Sequence, residues 1–324
     1  MAREKGRARS ARPSNLEIPM DSVTLKRTTL VVTLLAGAAL ASPASALEGT
    51  LKKIKESGSI TIGHRDSSIP FSYYDDKQRP VGYALDICYK VVDAIKAKLN
   101  MPDLKINLLP ETPSTRIPLM ANGTIDLECG STTNNAERKK QVDFGMTYYV
   151  VKYRYVSRKS AHMDKIDDLK GKTVVSTAGT TDIAALNRLN TERNFGMNIL
   201  AAKDHAESFL MVETGRASAF LMDDILLSGL VANSKNPSEF HISSQSLGLE
   251  PYSLMLRKDD PEFKQVVEDA MTKLYTSGEI MKIYEKWFMS PIPPKGINLN
   301  IPVGDALKRV FAHPTDSPDP NVYK

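Results

Sequence analysis

Short apolar stretches alternate with amphipathic stretches along the chain from Leu51 onward. "SITIGHR" (59–65), "LKINLLP" (104–110) and "TIDLECG" (124–130) predict strands, and "VGYALDICYKVVDAIKAKL" (81–99) and "STRIPLMANG" (114–123) predict the helices between them. Regular alternation of strand and helix is typical of βαβ units, whose parallel strands are covered by helices. The pattern therefore predicts an α/β fold.

The same alternation begins again after Lys152. "DLKGKTVVSTAGTTDIAALNRL" (168–189) predicts a short helix, a strand and a helix, "HAESFLMVETG" (205–215) a helix, and "SAFLMDD" (218–224) a strand. Residues 250–288 predict a last strand and two helices, with Asp260 as the cap of a helix that begins at Pro261. Two lobes are expected.

An internal echo links the two halves. In each half, a helical stretch with a Leu-Met pair is followed by a glycine and then by a predicted strand. Ser131 lies eight residues after Gly123, and Asp223 lies eight residues after Gly215. Because ligands bind at the carboxyl ends of strands in open α/β sheets, Ser131 and Asp223 are expected to face one cleft from opposite lobes.

The first 46 residues have the composition of a secretory signal peptide. The apolar stretch "LVVTLLAGAALA" (30–41) follows Lys26 and Arg27 and leads to "ASPASA", a cleavage pattern that ends at Ala46. This stretch is shorter than the roughly 20 apolar residues that a membrane-spanning helix needs. We expect export to the periplasm, and translation from Met20 would leave a signal of ordinary length.

The net charge of the chain falls close to zero once the predicted signal peptide is excluded. The chain has 43 Lys and Arg and 38 Asp and Glu; seven and three of these lie in residues 1–46, so 36 and 35 remain and the net charge is close to +1. Such a balance argues against nucleic acid as a partner. The only two cysteines, Cys88 and Cys129, belong to an exported chain, where a disulfide is possible; two buried thiols are the alternative.

The stretch "GSTTNNAER" (130–138) has the composition of an anion site. Hydroxyls and free N–H groups at a helix N-terminus favour a carboxylate, and Arg138 in the first helical turn can add a bidentate clamp. The alternative is a helix cap followed by a surface pair of Glu137 and Arg138.

The chain resembles the periplasmic solute-binding proteins of polar amino-acid ABC transporters, and within them the glutamate/aspartate-binding branch. The resemblance covers residues 50–296 and is carried by "ITIGHRDSSIPFSYYDDKQRPVGYALDI", "STRIPLMANGTIDLECGSTTNNAERKKQVDF", "LKGKTVVSTAGTTD", "KDHAESFLMVETGRASAFLMDD" and "GEIMKIYEKWF". It implies a two-lobed type II periplasmic binding protein, with a ligand cleft between the lobes and a two-strand hinge.

The resemblance also implies a set of ligand-binding residues. The α-carboxylate of an amino acid would be held by Arg138, Thr133 and Ser131, and the α-ammonium by Asp223. Thr181 would add a hydroxyl and an N–H from the second lobe. Further positive charge for a side-chain carboxylate would come from Arg65, Arg116 and His205.

Each basic position has a plainer interpretation. Arg65 could be a solvated charge at a strand end, Arg116 an exposed helix residue, and His205 an ordinary residue at a helix N-terminus. Asp224 could be confused with Asp223, and the echo favours Asp223. In this family Phe71, Tyr73 and Tyr74 would help to wall the cleft, and packing beside the first strand is their alternative. Tyr284 and Trp287, at helical spacing, are expected in the core.

The implied organisation has five segments: a signal peptide (1–46), the first part of lobe 1 (47–150), lobe 2 (151–249), the return of lobe 1 (250–296) and a C-terminal extension (297–324) lying against the surface. The chain would cross between lobes near 150–153 and 248–252. We expect a monomer that binds an acidic amino acid and meets an inner-membrane ABC permease, with no catalytic residues, metal or cofactor.

Three other functions are compatible with parts of the pattern. An exported enzyme on the same scaffold would need a poised acid or base, and the available candidates, Glu128 and Glu137, have no evident partner. A sensory domain would normally be tethered to a membrane segment. A broader binder that also accepts glutamine and asparagine is disfavoured if Arg65 and Arg116 point inward, because a neutral amide would leave buried cations uncompensated.

Overall fold

A computed structural model describes residues 47–324 of the chain. The predicted signal peptide, residues 1–46, lies outside the described residues. In the first half of the described part the elements are, in chain order, α1 (Gly49–Ser57), β1 (Ser59–Arg65), β2 (Ser67–Ser68), β3 (Ser72–Tyr74), β4 (Pro80–Val81), α2 (Tyr83–Leu99), β5 (Lys105–Glu111), α3 (Arg116–Ala121), β6 (Leu127–Glu128) and β7 (Val142–Arg158).

The second half continues the alternation that the sequence predicts. Its elements are β8 (Thr173–Thr177), α4 (Thr181–Glu192), β9 (Asn198–Ala202), α5 (His205–Glu213), β10 (Ala219–Asp223), α6 (Asp224–Asn233), β11 (Phe240–Ile242), β12 (Leu249–Arg257), α7 (Pro261–Thr276), α8 (Glu279–Phe288) and α9 (Asp305–Ala312). Asp260 caps α7 as predicted, because its carboxylate accepts a hydrogen bond from the backbone N–H of Phe263 at 3.3 Å.

Strands of both lobes belong to one continuous sheet, in the order β5-β1-β6-β12-β7-β10-β8-β9. In lobe 1, β1 pairs in parallel with β5 and β6, and β12 is antiparallel to β6. In lobe 2, β8 pairs in parallel with β9 and β10, and β7 is antiparallel to β10. The lobes therefore share one topology, and the internal echo predicted from the sequence is confirmed.

Two antiparallel strands connect the lobes. β7 pairs with β12 as far as Lys152, opposite Leu249, and pairs with β10 from Tyr153 onward. The segments predicted as crossings, 150–153 and 248–252, therefore lie side by side in one ladder. The sequence pattern does not reveal that β7 is a single strand of 17 residues. β6 is shorter than the predicted 124–130.

Aromatic rings fill the part of lobe 1 beneath the connecting strands. Phe71 packs against Tyr149 and Tyr252, with ring centroids 5.0 and 5.3 Å apart, and Tyr83 packs against Phe288 at 5.1 Å. The predicted core positions Tyr284 and Trp287 are both buried. Phe71 and Tyr73 are fully buried as well, which favours packing beside the first strand over a place in the wall of the cleft.

Cys88 on α2 and Cys129 at the end of β6 are joined by a disulfide, with Cα atoms 6.2 Å apart. Both residues are fully buried in lobe 1. The bond ties the strand that leads to Ser131 to the helix that covers the sheet.

The C-terminal extension is integrated into lobe 1 more deeply than the sequence predicts. α9 buries Leu307, Val310 and Phe311, and Phe311 packs on Tyr275 of α7 with ring centroids 5.0 Å apart. Tyr323 is also buried. Its hydroxyl lies 2.8 Å from Thr147 Oγ1 on β7 and donates to the carbonyl of Ser317 at 2.7 Å.

Replacing Tyr323 by alanine should therefore destabilise the protein. Loss of the buried ring and of two hydrogen bonds should lower the free energy of unfolding by about 3 kcal/mol, measured by urea denaturation. The neighbouring Val322 is 52% exposed and provides the control. Val322→Ala should change this free energy by no more than about 0.5 kcal/mol. Equal, small effects of both substitutions would contradict a packed extension.

No helix among residues 47–324 is long and apolar enough to cross a membrane.

Candidate functional site

Seven of the eight predicted ligand-binding residues line one small cavity between the lobes. They are Arg116, Ser131, Thr133, Arg138, Thr181, His205 and Asp223. The eighth, Arg65, lies beside this group, close enough that its charge lowers the pKa of His205. The residues come from both lobes, so the cavity exists only where the lobes meet.

The segment 131–138 does not begin an α-helix, which corrects the sequence prediction. Thr133 forms a β-bridge with Tyr252, and Asn134 donates its backbone N–H to the carbonyl of Pro251 at 2.9 Å. Arg138 begins only a three-residue 3-10 helix, Arg138–Lys140. Pairing with β12 uses the backbone groups that a helix would need. The site therefore relies on side chains and on the remaining N–H groups, without a helix N-terminus.

Arg138 is held with its guanidinium inside the cavity. Its Nη1 donates to the carbonyl of Thr133 at 2.9 Å, and its Nη2 approaches the carbonyl of Gly179 in lobe 2 at 3.4 Å. Burial and the nearby charge of Arg116 lower the pKa of Arg138 to about 10. The group is therefore still charged at neutral pH and can bind a carboxylate through its planar fork.

A glycine turn allows the lobes to approach closely at this point. Gly179 has φ +78°, and a Cβ on it would lie 2.7 Å from backbone atoms of Pro113 and Ser114 in lobe 1. Only glycine combines this conformation with this approach. The carbonyl of Gly179 also lies 3.4 Å from Nη2 of Arg116.

Glu250, which the sequence analysis did not identify, joins the two threonines of the site. Its Oε2 accepts hydrogen bonds from Thr133 Oγ1 of lobe 1 at 2.5 Å and from Thr181 Oγ1 of lobe 2 at 2.7 Å. Each hydroxyl has a single proton to donate. In this arrangement the threonines can donate their backbone N–H groups to a ligand. Their hydroxyls can donate to a ligand only if the hydrogen bonds to Glu250 break.

Asp223 lies at the end of β10, as the echo predicts. The hydroxyl of Tyr252 donates to its Oδ2, while Oδ1 is buried and has no partner among the described residues. Burial and the nearby charges of Asp182 and Glu250 raise the pKa of Asp223 well above its usual range. An ammonium group placed against these carboxyls would favour their charged forms.

Asp182 is a second residue that the sequence analysis did not identify. It is buried next to Thr181, and its Oδ1 lacks a partner within residues 47–324. Burial and the charge of Glu250 raise the pKa of Asp182. Its position in "AGTTD", directly after the predicted ligand residue Thr181, is the feature of the sequence that could have identified it.

Arg65 and Arg116 are buried cations, so the exposed alternatives for them are excluded. They are 1% and 2% exposed, and neither forms an ion pair with a carboxylate of the described residues. Nε and Nη1 of Arg65 and Nε of Arg116 have no hydrogen-bond partner in that part of the chain. Burial and the charge of Arg116 lower the pKa of Arg65 to about 10, so Arg65 remains charged at neutral pH.

His205 is a neutral group, which corrects the expectation that it adds positive charge. Burial and the charges of Arg65 and Arg116 lower its pKa well below the usual range. Its Nδ1 lies 2.9 Å from the Thr177 hydroxyl, and its buried Nε2 is unpartnered among residues 47–324. His205 can therefore contribute a hydrogen bond to a ligand but no charge.

The two acids weighed as catalytic candidates lie in different surroundings. Glu137 is exposed and paired with Lys140 at 2.6 Å. Glu128 is buried in lobe 1 near Arg65. Within the described residues, His, Cys, Asp and Glu side chains form no group that could hold a metal ion.

Two lobes of one topology, joined by two strands and enclosing a polar cavity, define the class of two-lobed binding proteins. Residues 60–290 match the model of the bacterial extracellular solute-binding proteins, family 3, and the chain belongs to this family.

Relatives support the assignment over most of the chain. The L-glutamate/L-aspartate-binding protein of Pseudomonas aeruginosa is 52% identical over 290 residues, covering 89% of this chain and 96% of that protein. The glutamate/aspartate import solute-binding protein of Escherichia coli is 48% identical over 288 residues, covering 89% and 95%.

Solved structures support the fold. An ancestral arginine-binding protein bound to arginine has a TM-score of 0.64 at 26% identity and covers 71% of this chain and 98% of its own. A solute receptor for L-cysteine of Neisseria gonorrhoeae has a TM-score of 0.65 at 26% identity, covering 74% and 94%.

Proposed function

We propose that this chain captures L-glutamate or L-aspartate between its lobes and delivers it to an ABC permease in the inner membrane. The observation that carries the proposal is the pair of buried cations, Arg65 and Arg116, beside a cavity that also contains Arg138 and Asp223. A buried cation is costly unless an anion compensates it, and a second ligand carboxylate would do so. The two relatives at 52% and 48% identity carry names that state binding, and in one case import, of glutamate and aspartate.

The proposed pose assigns one part of the ligand to each part of the cavity. Arg138, with Ser131 and Thr133, receives the α-carboxylate, and Asp223 receives the α-ammonium. The side-chain carboxylate lies towards Arg65 and Arg116, with a hydrogen bond from His205, and Thr181 closes the cavity from lobe 2.

Ligand binding should favour the closed arrangement of the lobes. Because ligand contacts come from both lobes, a closed state makes more of them than an open state and is stabilised by the difference. β7 and β12 are the segments that would bend, which divides the mature chain into residues 47–150, 151–249 and 250–296. We propose that the permease recognises the closed form.

The proposed activity is binding without chemistry. The relatives are binding proteins by name, and Glu137 is solvent-exposed and ion-paired. We also propose that residues 1–46 direct export to the periplasm and are removed, and that the mature chain works there as a monomer.

Calorimetric titration of residues 47–324 tests the proposal. Glutamate or aspartate should bind with a dissociation constant of about a micromolar or tighter. Glutamine and asparagine should bind at least about tenfold more weakly, and alanine more weakly still. Equal affinity for glutamate and glutamine would contradict the acidic specificity and favour a broader binder. Absence of binding to any of these amino acids would contradict the proposal as a whole.

A further inference from the structure

Two buried carboxyls lie beside Arg65. Glu111 ends β5 beside Arg65, and Glu128 on β6 pairs with Gly63, so all of them project from the same face of the sheet. Glu111 is 3% exposed and Glu128 is 0% exposed. Neither belongs to the set of residues assigned to the ligand above.

Because Gly63 has no side chain, there is room for the two carboxyls above β1. A Cβ on Gly63 would lie 3.0 Å from Oε2 of Glu111. A Cβ on Gly130 would collide with the Glu128 carboxylate and lie 2.8 Å from Cγ of Arg65. The strand between the carboxyls is thus kept clear, and the register of β5, β1 and β6 brings both side chains to one face of the sheet beside Arg65.

All four oxygens of these carboxyls lack a hydrogen-bond donor among residues 47–324. Two ionised carboxylates cannot bond to each other, because neither has a proton to donate. One proton between them supplies the missing bond and removes the repulsion of two like charges in a buried place. Burial and the charge of Glu128 accordingly raise the pKa of Glu111 well above its usual range.

We propose that Glu111 and Glu128 share a single proton and thereby set the net charge of the pocket for the ligand side chain. Arg65 and Arg116 contribute two positive charges and the carboxyl pair one negative charge, so the pocket matches one ligand carboxylate. This inference rests on the proposed function, because it concerns how that site selects its ligand.

Arg138, whose charge also interacts with Glu128, is matched in the proposed pose by the α-carboxylate of the ligand, and the other ionisable groups around the pair are uncharged at neutral pH. His205 on α5 is neutral because burial and the two arginines lower its pKa. Burial raises the pKa of Tyr148 on β7 and of Tyr252 on β12 well above the usual range, so both phenols are neutral.

The test compares the ratio of glutamine to glutamate dissociation constants in wild type, Glu111→Gln, Glu128→Gln and the double variant. In either single variant the remaining carboxyl ionises, the pocket charge is unchanged, and the ratio should stay within about threefold of wild type. In the double variant the pocket gains one positive charge, and the preference for glutamate should rise by about tenfold or more. Glu192→Gln, at an exposed position, should leave the ratio unchanged.

Non-additivity identifies the shared proton. If each single variant changed the logarithm of this ratio by half as much as the double variant does, the two effects would add. Both carboxyls would then be ionised in the wild type, and the inference would be wrong. If no variant changed the ratio, both would be neutral or too distant, and the inference would again be wrong. Thermal unfolding of each variant establishes that it folds.

A second readout does not need a ligand. Infrared spectra at neutral pH should contain a protonated-carboxyl C=O band in wild type that is reduced in both single variants, since each leaves one ionised carboxylate. A band of wild-type intensity in both variants would overturn the shared proton even if glutamate binds. If the wild type bound no acidic amino acid while the band weakened in both single variants as expected, the proposed function would be overturned and the shared proton would stand.

Discussion

Arg138→Met is expected to lower the affinity for glutamate and for aspartate by roughly 30-fold to 4,000-fold, and by a similar factor for both. Removing one partner of a buried, hydrogen-bonded charge pair costs about 2–5 kcal/mol. Methionine keeps an unbranched chain of similar length but cannot clamp the α-carboxylate that every amino acid carries. Calorimetry with glutamate, aspartate and glutamine measures the effect.

Two other substitutions give this prediction its controls. Arg65→Met should weaken acidic ligands and spare glutamine, because in the proposed pose Arg65 faces the side chain of the ligand. Arg193→Met, at a residue 53% exposed and paired with Asp167 in lobe 2, should change no affinity. If Arg65→Met weakened all three ligands equally while Arg138→Met affected only the acidic ones, the two arginines would have to exchange roles.

Replacing Cys88 and Cys129 together by alanine is expected to lower the free energy of unfolding by about 4 kcal/mol. The disulfide closes a separation of 41 residues, and removing such a cross-link increases the conformational entropy of the unfolded chain. Urea denaturation of the double variant and of wild type, with the slope of each transition compared, measures the change.

Reduction provides an independent comparison for the disulfide. Wild type in excess dithiothreitol should approach the stability of the double variant, and the variant itself should not respond to the reductant. A wild type that is as stable reduced as oxidised would mean that the bond contributes little in solution.

Local patterns in the sequence predict most of the fold. Strand β1 has the predicted bounds, the helices α2, α4, α5, α7 and α8 lie where amphipathic periodicity places them, and the eight-residue echo predicts the repeated topology. These features depend on neighbouring residues and on spacing, which one sequence contains. The family resemblance then extends from the fold to Arg138 and Asp223, and the structure brings both to one cavity.

What the sequence does not predict depends on distant contacts. The pairing of Thr133 with Tyr252 replaces the predicted helix start, and it joins segments separated by more than a hundred positions. Glu250 and Asp182 gain their roles only when the lobes meet. The burial of Tyr323 likewise requires Thr147 on a strand in the middle of the chain.

The cavity combines two tasks that separate residues perform. In the proposed pose, Arg138 and Asp223 recognise the groups that all amino acids share, one from each lobe. In that pose Arg65 and Arg116 receive the additional carboxylate, and we propose that the carboxyls beside Arg65 limit the positive charge there. Because Arg138 and Asp223 come from different lobes, recognition and closure of the lobes are coupled in this pose.

The structure of the mature chain crystallised with L-glutamate tests this account most directly. The account predicts the α-carboxylate on Arg138, the α-ammonium against Asp223, and the side-chain carboxylate between Arg65 and Arg116. A ligand bound in the reverse orientation, with its side-chain carboxylate on Arg138, or bound outside the cavity between the lobes, would contradict it.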